Sequence, residues 1–376
     1  MKRLRALVLW TAVCAVLALA ALTPESGAGM LREEALRSRW GGWAGVLRLW
    51  AFEGWQSGNG SLSAWLNDRI GAFEKSHSGV YIQLTEVSAG ALRGFASGAA
   101  NPPDMILFPP GLLEGADHLL ALTDDYALRA GLEACGMAGE GRFALPVAMG
   151  AYGLAFNCAA LDALPADWRA LPERPAARDC AYWLDWPADS AHLRWSAAMN
   201  DLLAGEAEGE EARREAPVGE GLDLGLPTAA DRANAPLPQR LPDDFGRSAS
   251  VFSRFANGEI AAMPVTQREI RRLQLLSDTG RGPDWAVAVR SSAYTDQIAL
   301  LAVTDCGKSA SESRQALGLD FAALLLSADS QAKLTRSRAF PVIDLPALYA
   351  GSEGMAQLEV GLAGRTIRPE AAFGTE

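Results

Sequence analysis

Trp55, Gln56 and Ser57 set an aromatic ring beside an amide and a hydroxyl, directly after an apolar run. That mixture can hold a small polar solute, because the ring stacks on an apolar C–H face while the amide and hydroxyl match donors and acceptors. Phe108 closes a second apolar run, Tyr152 follows the break at Gly150, and Trp183 and Trp285 offer further rings. Core packing is the competing role for each, since large aromatic side chains are mostly buried. Bond-breaking chemistry has weaker support. Asp124-Asp125, Asp243-Asp244 and Glu53 are acidic, but adjacent aspartates point apart and do not flank a substrate as paired carboxylates must. His77, His118 and His192 are scattered without the Ser, Cys or Asp pattern of a triad, and no GxxxxGK[ST] phosphate loop occurs. No Cys/His spacing suits a metal ion. These residues predict a binding protein that is no enzyme and uses no cofactor.

The elements that must position them alternate. Val46–Phe52 reads as a strand and Ser61–Lys75 as a helix, with Ser61 as N-cap and Leu62, Trp65, Leu66, Ile70 and Phe73 on one face. Strands at Val80–Val87 and Asp104–Phe108 flank a short helix from Ala89 to Ser97, and Pro109-Pro110-Gly111 stops the last strand. Strand, helix, strand, helix, strand is the pattern of a parallel sheet with right-handed crossovers. Ligands of such sheets sit beyond the carboxyl ends of the strands, here the loops Glu53–Gly60, Ser88–Gly90 and Phe108–Gly111.

In Arg142–Leu164 two apolar runs, Phe143–Met149 and Tyr152–Phe156, meet at Gly150. They read either as core strands with a kink or as a crossing between two lobes. Pro165–Asp201 is rich in tryptophan, and Glu206–Asp244 loses its apolar residues to Glu, Pro and Gly, as a flexible loop does. Further on, Ser250–Asn257 reads as a helix with Gly258 as its C-terminal cap, and Ile260–Val265 as a strand despite Pro264. Gln267–Ser277 is a helix, and Trp285–Val289 and Ile298–Val303 are strands. A capping box of Ser309 and Glu312 opens a helix to Leu326, and another runs from Asp329 to Ser337. Beyond Tyr349 the pattern gives no element.

With 376 residues the chain is long enough for two domains. A net charge of -11 disfavours a nucleic-acid partner, whose phosphates need a basic face. Lys2, Arg3 and Arg5 precede an apolar run from Ala6 to Leu22, and small residues follow at Ser26–Gly29. That order reads as a secretory signal or an uncleaved anchor and predicts an exported protein, periplasmic or at the cell surface. Cys135, Cys158, Cys180 and Cys306 permit two disulfides in such a compartment, with free thiols as the alternative.

VLRLWAFEGW, IGAFEKSHSGVYIQL, PDMILF, LLALTDDY, FALPVAMGAYGLAFNCAAL, FANGEIAAMPV and FAALLLSADSQAKLTRSRAFPV follow one another between residues 46 and 342. In this order they resemble family 1 extracellular solute-binding proteins, the type II periplasmic-binding-protein-like receptors of ABC importers. The resemblance implies an α/β fold in the form of a two-lobed clamp, with the ligand cleft between the lobes. It implies a carbohydrate or similar small solute, closure about a hinge, a membrane permease as partner and a monomeric state. The AYGLAFN segment would cross between lobes. Thr266 and Gln267 would face the cleft, since they follow the FANGEIAAMPV motif. The implied division is 1–28 signal or anchor, 44–149 first lobe, 150–290 second lobe with a flexible insert at 205–247, and 291–376 return segments. Two features depart from the family: the tail after FPV is short and incomplete, and Glu206–Asp244 stands where second-lobe helices are expected. A divergent membrane-associated sensor or structural module is the alternative.

Overall fold

A computed structural model describes residues 42–55, 57–96, 102–123, 126–161, 182–184, 248–283, 286–307, 311–363 and 365–374, with only the backbone described at 182–184 and 248–250. The signal or anchor, the 205–247 insert, Gln56, Asp124, Asp125, Trp285 and the side chain of Trp183 lie outside the described residues.

The amino-terminal half builds the expected α/β unit. It comprises β1 (Gly45–Phe52), α1 (Ser63–Ser76), β2 (Val80–Val87), α2 (Ala89–Arg93) and β3 (Met105–Phe108). The hairpin of β4 (Met137–Ala138) and β5 (Gly141–Arg142) leads to β6 (Leu145–Met149). β1 pairs parallel with β2 on one side and β3 on the other. A strand from much later in the chain, β12 (Ile298–Val303), then inserts antiparallel between β3 and β6, giving the order β2-β1-β3-β12-β6. Every residue of β3, β6 and β12 is buried, which is why these segments read as unbroken apolar runs and not as alternating ones.

The second sheet has the order β10-β7-β9-β8. Its strands are β7 (Tyr152–Asn157), β8 (Tyr182–Leu184), β9 (Ile260–Thr266) and β10 (Val287–Ser291). β9 is a strand despite Pro264 because β8 pairs only with its first half, from Ile260 to Ala262. On its other side β9 keeps pairing with β7 through Pro264, which lies opposite Leu154. α3 (Ser248–Ala256) precedes β9 and α4 (Gln267–Asp278) follows it. Gly258 closes α3 at φ 76° and donates to Phe255 O, as its cap reading anticipates.

Several helix starts differ from the reading by periodicity, α3 among them, which begins at Ser248 and not at Ser250. α1 begins two residues after Ser61, whose Oγ accepts from the Ser63 N–H at 3.4 Å. α5 (Glu312–Leu326) has Ser311 as N-cap without a side-chain bond, and Ser309 lies outside the described residues. The capping box occurs instead at α4: Thr266 Oγ1 accepts from Arg268 N–H, and Glu269 accepts from Thr266 N–H. The 329–337 helix is split into α6 (Ala328–Ala332) and a 3-10 turn from Lys333 to Ser337. Past Tyr349, α7 (Glu353–Leu362) packs against β10, and Gln357 Oε1 accepts the Val289 N–H at 2.5 Å.

α5 is fixed to the first sheet by a buried ion pair. Arg314 grips Asp104 through two nitrogens, and Asp104 also accepts the Arg48 N–H at 2.6 Å. A buried carboxylate of this kind is tolerated because all of its partners are in place.

The disulfide framework is not formed among the described cysteines: Cys135 is buried and free, Cys158 exposed and free, and Cys306 half-buried and free. Burial pushes the Cys135 thiol up to about 12, and raises that of Cys306 as well. Thiolate is the reactive form. Iodoacetamide at pH 8 should therefore label Cys158 in the native protein and Cys135 only after unfolding, as read by peptide mass spectrometry. Rapid native labelling of Cys135 would contradict this packing.

Candidate functional site

The two sheets are joined through four connections among the described residues. Met149–Tyr152 leads out from β6 to β7, and Ser291–Ile298 leads back from β10 to β12 through β11 (Tyr294–Thr295). Phe340–Glu353 runs from the first sheet, where Phe340 and Met149 exchange backbone hydrogen bonds, to α7. After α7 the chain returns once more, and β13 (Arg368–Pro369) pairs parallel with β11.

Where these connections pass one another, their backbones are tied by side chains. Gln267 is 1% exposed at the first turn of α4. Its Oε1 accepts the Ala151 N–H at 3.0 Å and its Nε2 donates to Gln297 Oε1 at 2.9 Å. The orientation of that amide follows from its partner, since a backbone N–H can only donate. Gly150 N–H donates to Gln297 O at 2.6 Å, and Thr295 Oγ1 donates to Gly150 O at 3.0 Å. A β-carbon on Gly150 would lie 2.3 Å from Gln297 Oε1 and 2.4 Å from Gln267 Nε2. Glycine is required here by close approach of two side chains and not by a special backbone angle.

Tyr152 joins the same network. Its hydroxyl donates to Asp296 Oδ1 at 2.7 Å, and its ring stacks on Tyr294 with centroids 6.2 Å apart. Tyr294 in turn donates to Glu370 Oε2 at 2.8 Å. Burial first, and then the facing carboxylates of Asp296 and Glu370, hold Tyr294 well above the usual tyrosine range.

The loop after β1 reaches this network from the other lobe. A β-carbon on Gly58 would meet Arg338 Cβ at 2.8 Å and Gln267 Cγ at 3.0 Å, so the first-lobe loop lies directly on the start of α4. Asn59 secures the loop through Ser337 O and Arg336 O. Arg338, at φ 52°, extends to Gln274 Oε1 of α4 at 2.8 Å and bridges the seam. Trp55 is 8% exposed beneath the loop, and its Nε1–H is buried with no acceptor among the described residues. An unmade bond of that kind costs about 1–3 kcal/mol.

The structure brings Trp55, Ser57, Thr266 and Gln267 to this seam and gives most of their polar groups internal work. Ser57 closes its own turn, with Oγ donating to Gly60 O at 3.0 Å. Thr266 caps α4, and both polar ends of Gln267 are used. Tyr152 belongs to the connection between the sheets. Phe108, at the carboxyl end of β3, is covered by Phe373 of the carboxyl-terminal segment, with ring centroids 6.1 Å apart. Gln297, Asp296, Gly58 and Arg338 were not singled out by the sequence. Their common signal is only that each lies in a connection between elements, and their contacts are made across 30 or more residues of chain.

Two sheets of this topology with repeated crossings define the two-lobed periplasmic-binding-protein-like fold of type II. Solved structures agree. The maltose/maltodextrin-binding domain MalE from Bdellovibrio bacteriovorus, bound to maltotriose, superposes with TM-score 0.52 at 13% identity over 88% of this chain and 89% of that chain. The cyclic alpha-maltosyl-1,6-maltose binding protein from Arthrobacter globiformis gives 0.51 at 13% identity over 89% of each. Thiaminase I from Bacillus thiaminolyticus gives 0.53 at 12% identity over 87% of this chain and 94% of that chain. No family model and no curated protein matches the sequence.

The crowding at Gly150 is testable. Gly150→Ala should cost about 2–4 kcal/mol, from overpacking and from separation of the Gln267–Gln297 pair, measured by urea unfolding. A loss below ~0.5 kcal/mol would mean that the crossing is loose. Tyr294 gives a second test. Its folded pKa is raised, so its contribution to stability is complete below the unfolded value near 10 and is lost as pH rises past it. In an absorbance titration at 295 nm, Tyr294 should stay un-ionised above pH 10 until the protein unfolds. Reversible ionisation of all six tyrosines near pH 10 in folded protein would contradict its burial.

Proposed function

We propose that the protein is an extracytoplasmic solute-binding receptor of an ABC import system, and that it captures a carbohydrate or similar small polar solute by closing its lobes about the hinge. The observation that carries this reading is the seam. A loop at the carboxyl end of β1 meets the start of α4 from the other lobe, and the buried indole N–H of Trp55 beneath that loop has no acceptor among the described residues. Ligands of open α/β sheets gather at such strand ends. A solute hydroxyl could accept from Trp55, and a solute touching both lobes would stabilise the closed form by population shift. A membrane permease would read that form. Two of the neighbouring structures are described as binding maltose or maltosyl sugars, which supports a sugar as the solute class.

Thiaminase I shows that this architecture also serves an enzyme, so fold alone does not decide between binding and catalysis. A receptor is favoured by the way the buried carboxylates are used: Asp104 is held by Arg314, and Asp296 accepts from Tyr152. We take the protein to act as an exported monomer.

Titration of the full chain with maltotriose and a panel of sugars, by calorimetry and thermal shift, tests the reading. It predicts saturable binding of at least one sugar with a smaller radius of gyration in solution scattering. No response across the panel would count against it. Trp55→Phe keeps a ring but removes the N–H, and should weaken binding by about 1 kcal/mol. An unchanged affinity would return Trp55 to a packing role.

A further inference from the structure

On the outer flank of the second sheet, β10 and α7 enclose an open groove of about 740 Å³. Its size suits a small organic molecule. β10 is an edge strand, so this wall of the groove is backbone that α7 only partly covers. The backbone itself is satisfied: Gln357 accepts the Val289 N–H, and Arg365 Nη1 donates to Ser291 O at 3.2 Å. The hydroxyl of Ser291 is not. Ser291 lines the groove, is 1% exposed, and its Oγ has no partner among the described residues. Gly361 of α7 packs directly on that oxygen, since a β-carbon there would fall 1.7 Å from it.

Charge is arranged unevenly around this floor. Arg290 and Arg365 both line the groove, and neither has an ion-pair partner among the described residues. Glu353 is the one acidic residue of the lining, and it is exposed at the first turn of α7. The remaining lining is largely apolar and includes Val360, which is 69% exposed. We infer that this groove is a second binding site, separate from the seam, for a small organic anion with an apolar body. The acid group would be held by Arg290 and Arg365, and the apolar body would lie along Val360. Charge-assisted bonds to guanidinium are the strongest that such a surface can offer an anion. The apolar wall adds what inorganic anions cannot use.

Hexanoate, hexan-1-ol and inorganic phosphate separate these contributions. The full chain should bind hexanoate saturably in isothermal calorimetry, and should bind both other probes at least tenfold more weakly. Arg290→Gln with Arg365→Gln should lose about tenfold in hexanoate affinity. Because Arg365 also supports Ser291 O, Val360→Asp is the second variant. It alters an exposed residue without disturbing a buried bond and should weaken hexanoate to a similar extent. Sugar binding at the seam, measured in parallel, should be unaffected by either variant, so the two sites can fail separately. The inference is overturned if hexanoate shows no binding, if hexan-1-ol or phosphate binds as tightly, or if hexanoate affinity survives both variants.

Discussion

Two of the connections that join the two sheets meet at the amide of Gln267. Its two polar ends hold the outgoing connection at Ala151 and the returning one at Gln297, and a β-carbon at position 150 would push on both glutamine side chains. A buried amide with both ends bonded is stable, while one with an end free costs more than the bond contributed. Separating the connections would therefore leave orphaned polar groups. Tyr152, Asp296 and Thr295 extend the same network along the connections. Its position at the first turn of α4 ties the junction to the helix that meets the β1 loop at Gly58.

The insertion of β12 explains why such a junction exists. A strand that enters antiparallel between β3 and β6 must come from the second sheet, since its predecessor β10 lies there. The first sheet therefore cannot complete its buried centre until the chain has gone out and returned. All six residues of β12 are buried, so the apolar burial that stabilises the first lobe also fixes the second one to it. The later segments repeat the pattern, with α7 packed on β10 and Phe373 packed on Phe108. The carboxyl-terminal stretch thus contributes to both lobes.

Particular residues show how far the chain could be read by pattern. Strands β1, β2 and β12 were legible within a residue because apolar runs bounded by Gly, Pro and polar residues report burial directly. Gly150 was legible as a break, but not as a close approach, because nothing in the local sequence names Gln267 and Gln297 as its neighbours. Gln267 drew attention as a cleft residue through its motif, and the structure ties its amide to Ala151 and Gln297 in the connections between the sheets. Phe108 stands at a strand end as anticipated, yet Phe373, some 265 residues later, covers it. The capping box fell at Thr266 and Glu269 and not at Ser309, since capping depends on where a helix actually starts.

By itself the sequence determined the alternation of strands and helices, the break at Gly150 and the order of motifs that anticipates a two-lobed clamp. These are properties of local periodicity and backbone chemistry, which a short window contains. Only the tertiary structure decided that Gln267 and Tyr152 tie the connections between the sheets, that the Trp55 indole N–H has no acceptor among the described residues, and that Ser291 and two arginines line one groove. Those facts depend on which distant groups approach within hydrogen-bond reach. That approach is set by the packing of whole sheets, and no spacing along the chain encodes it.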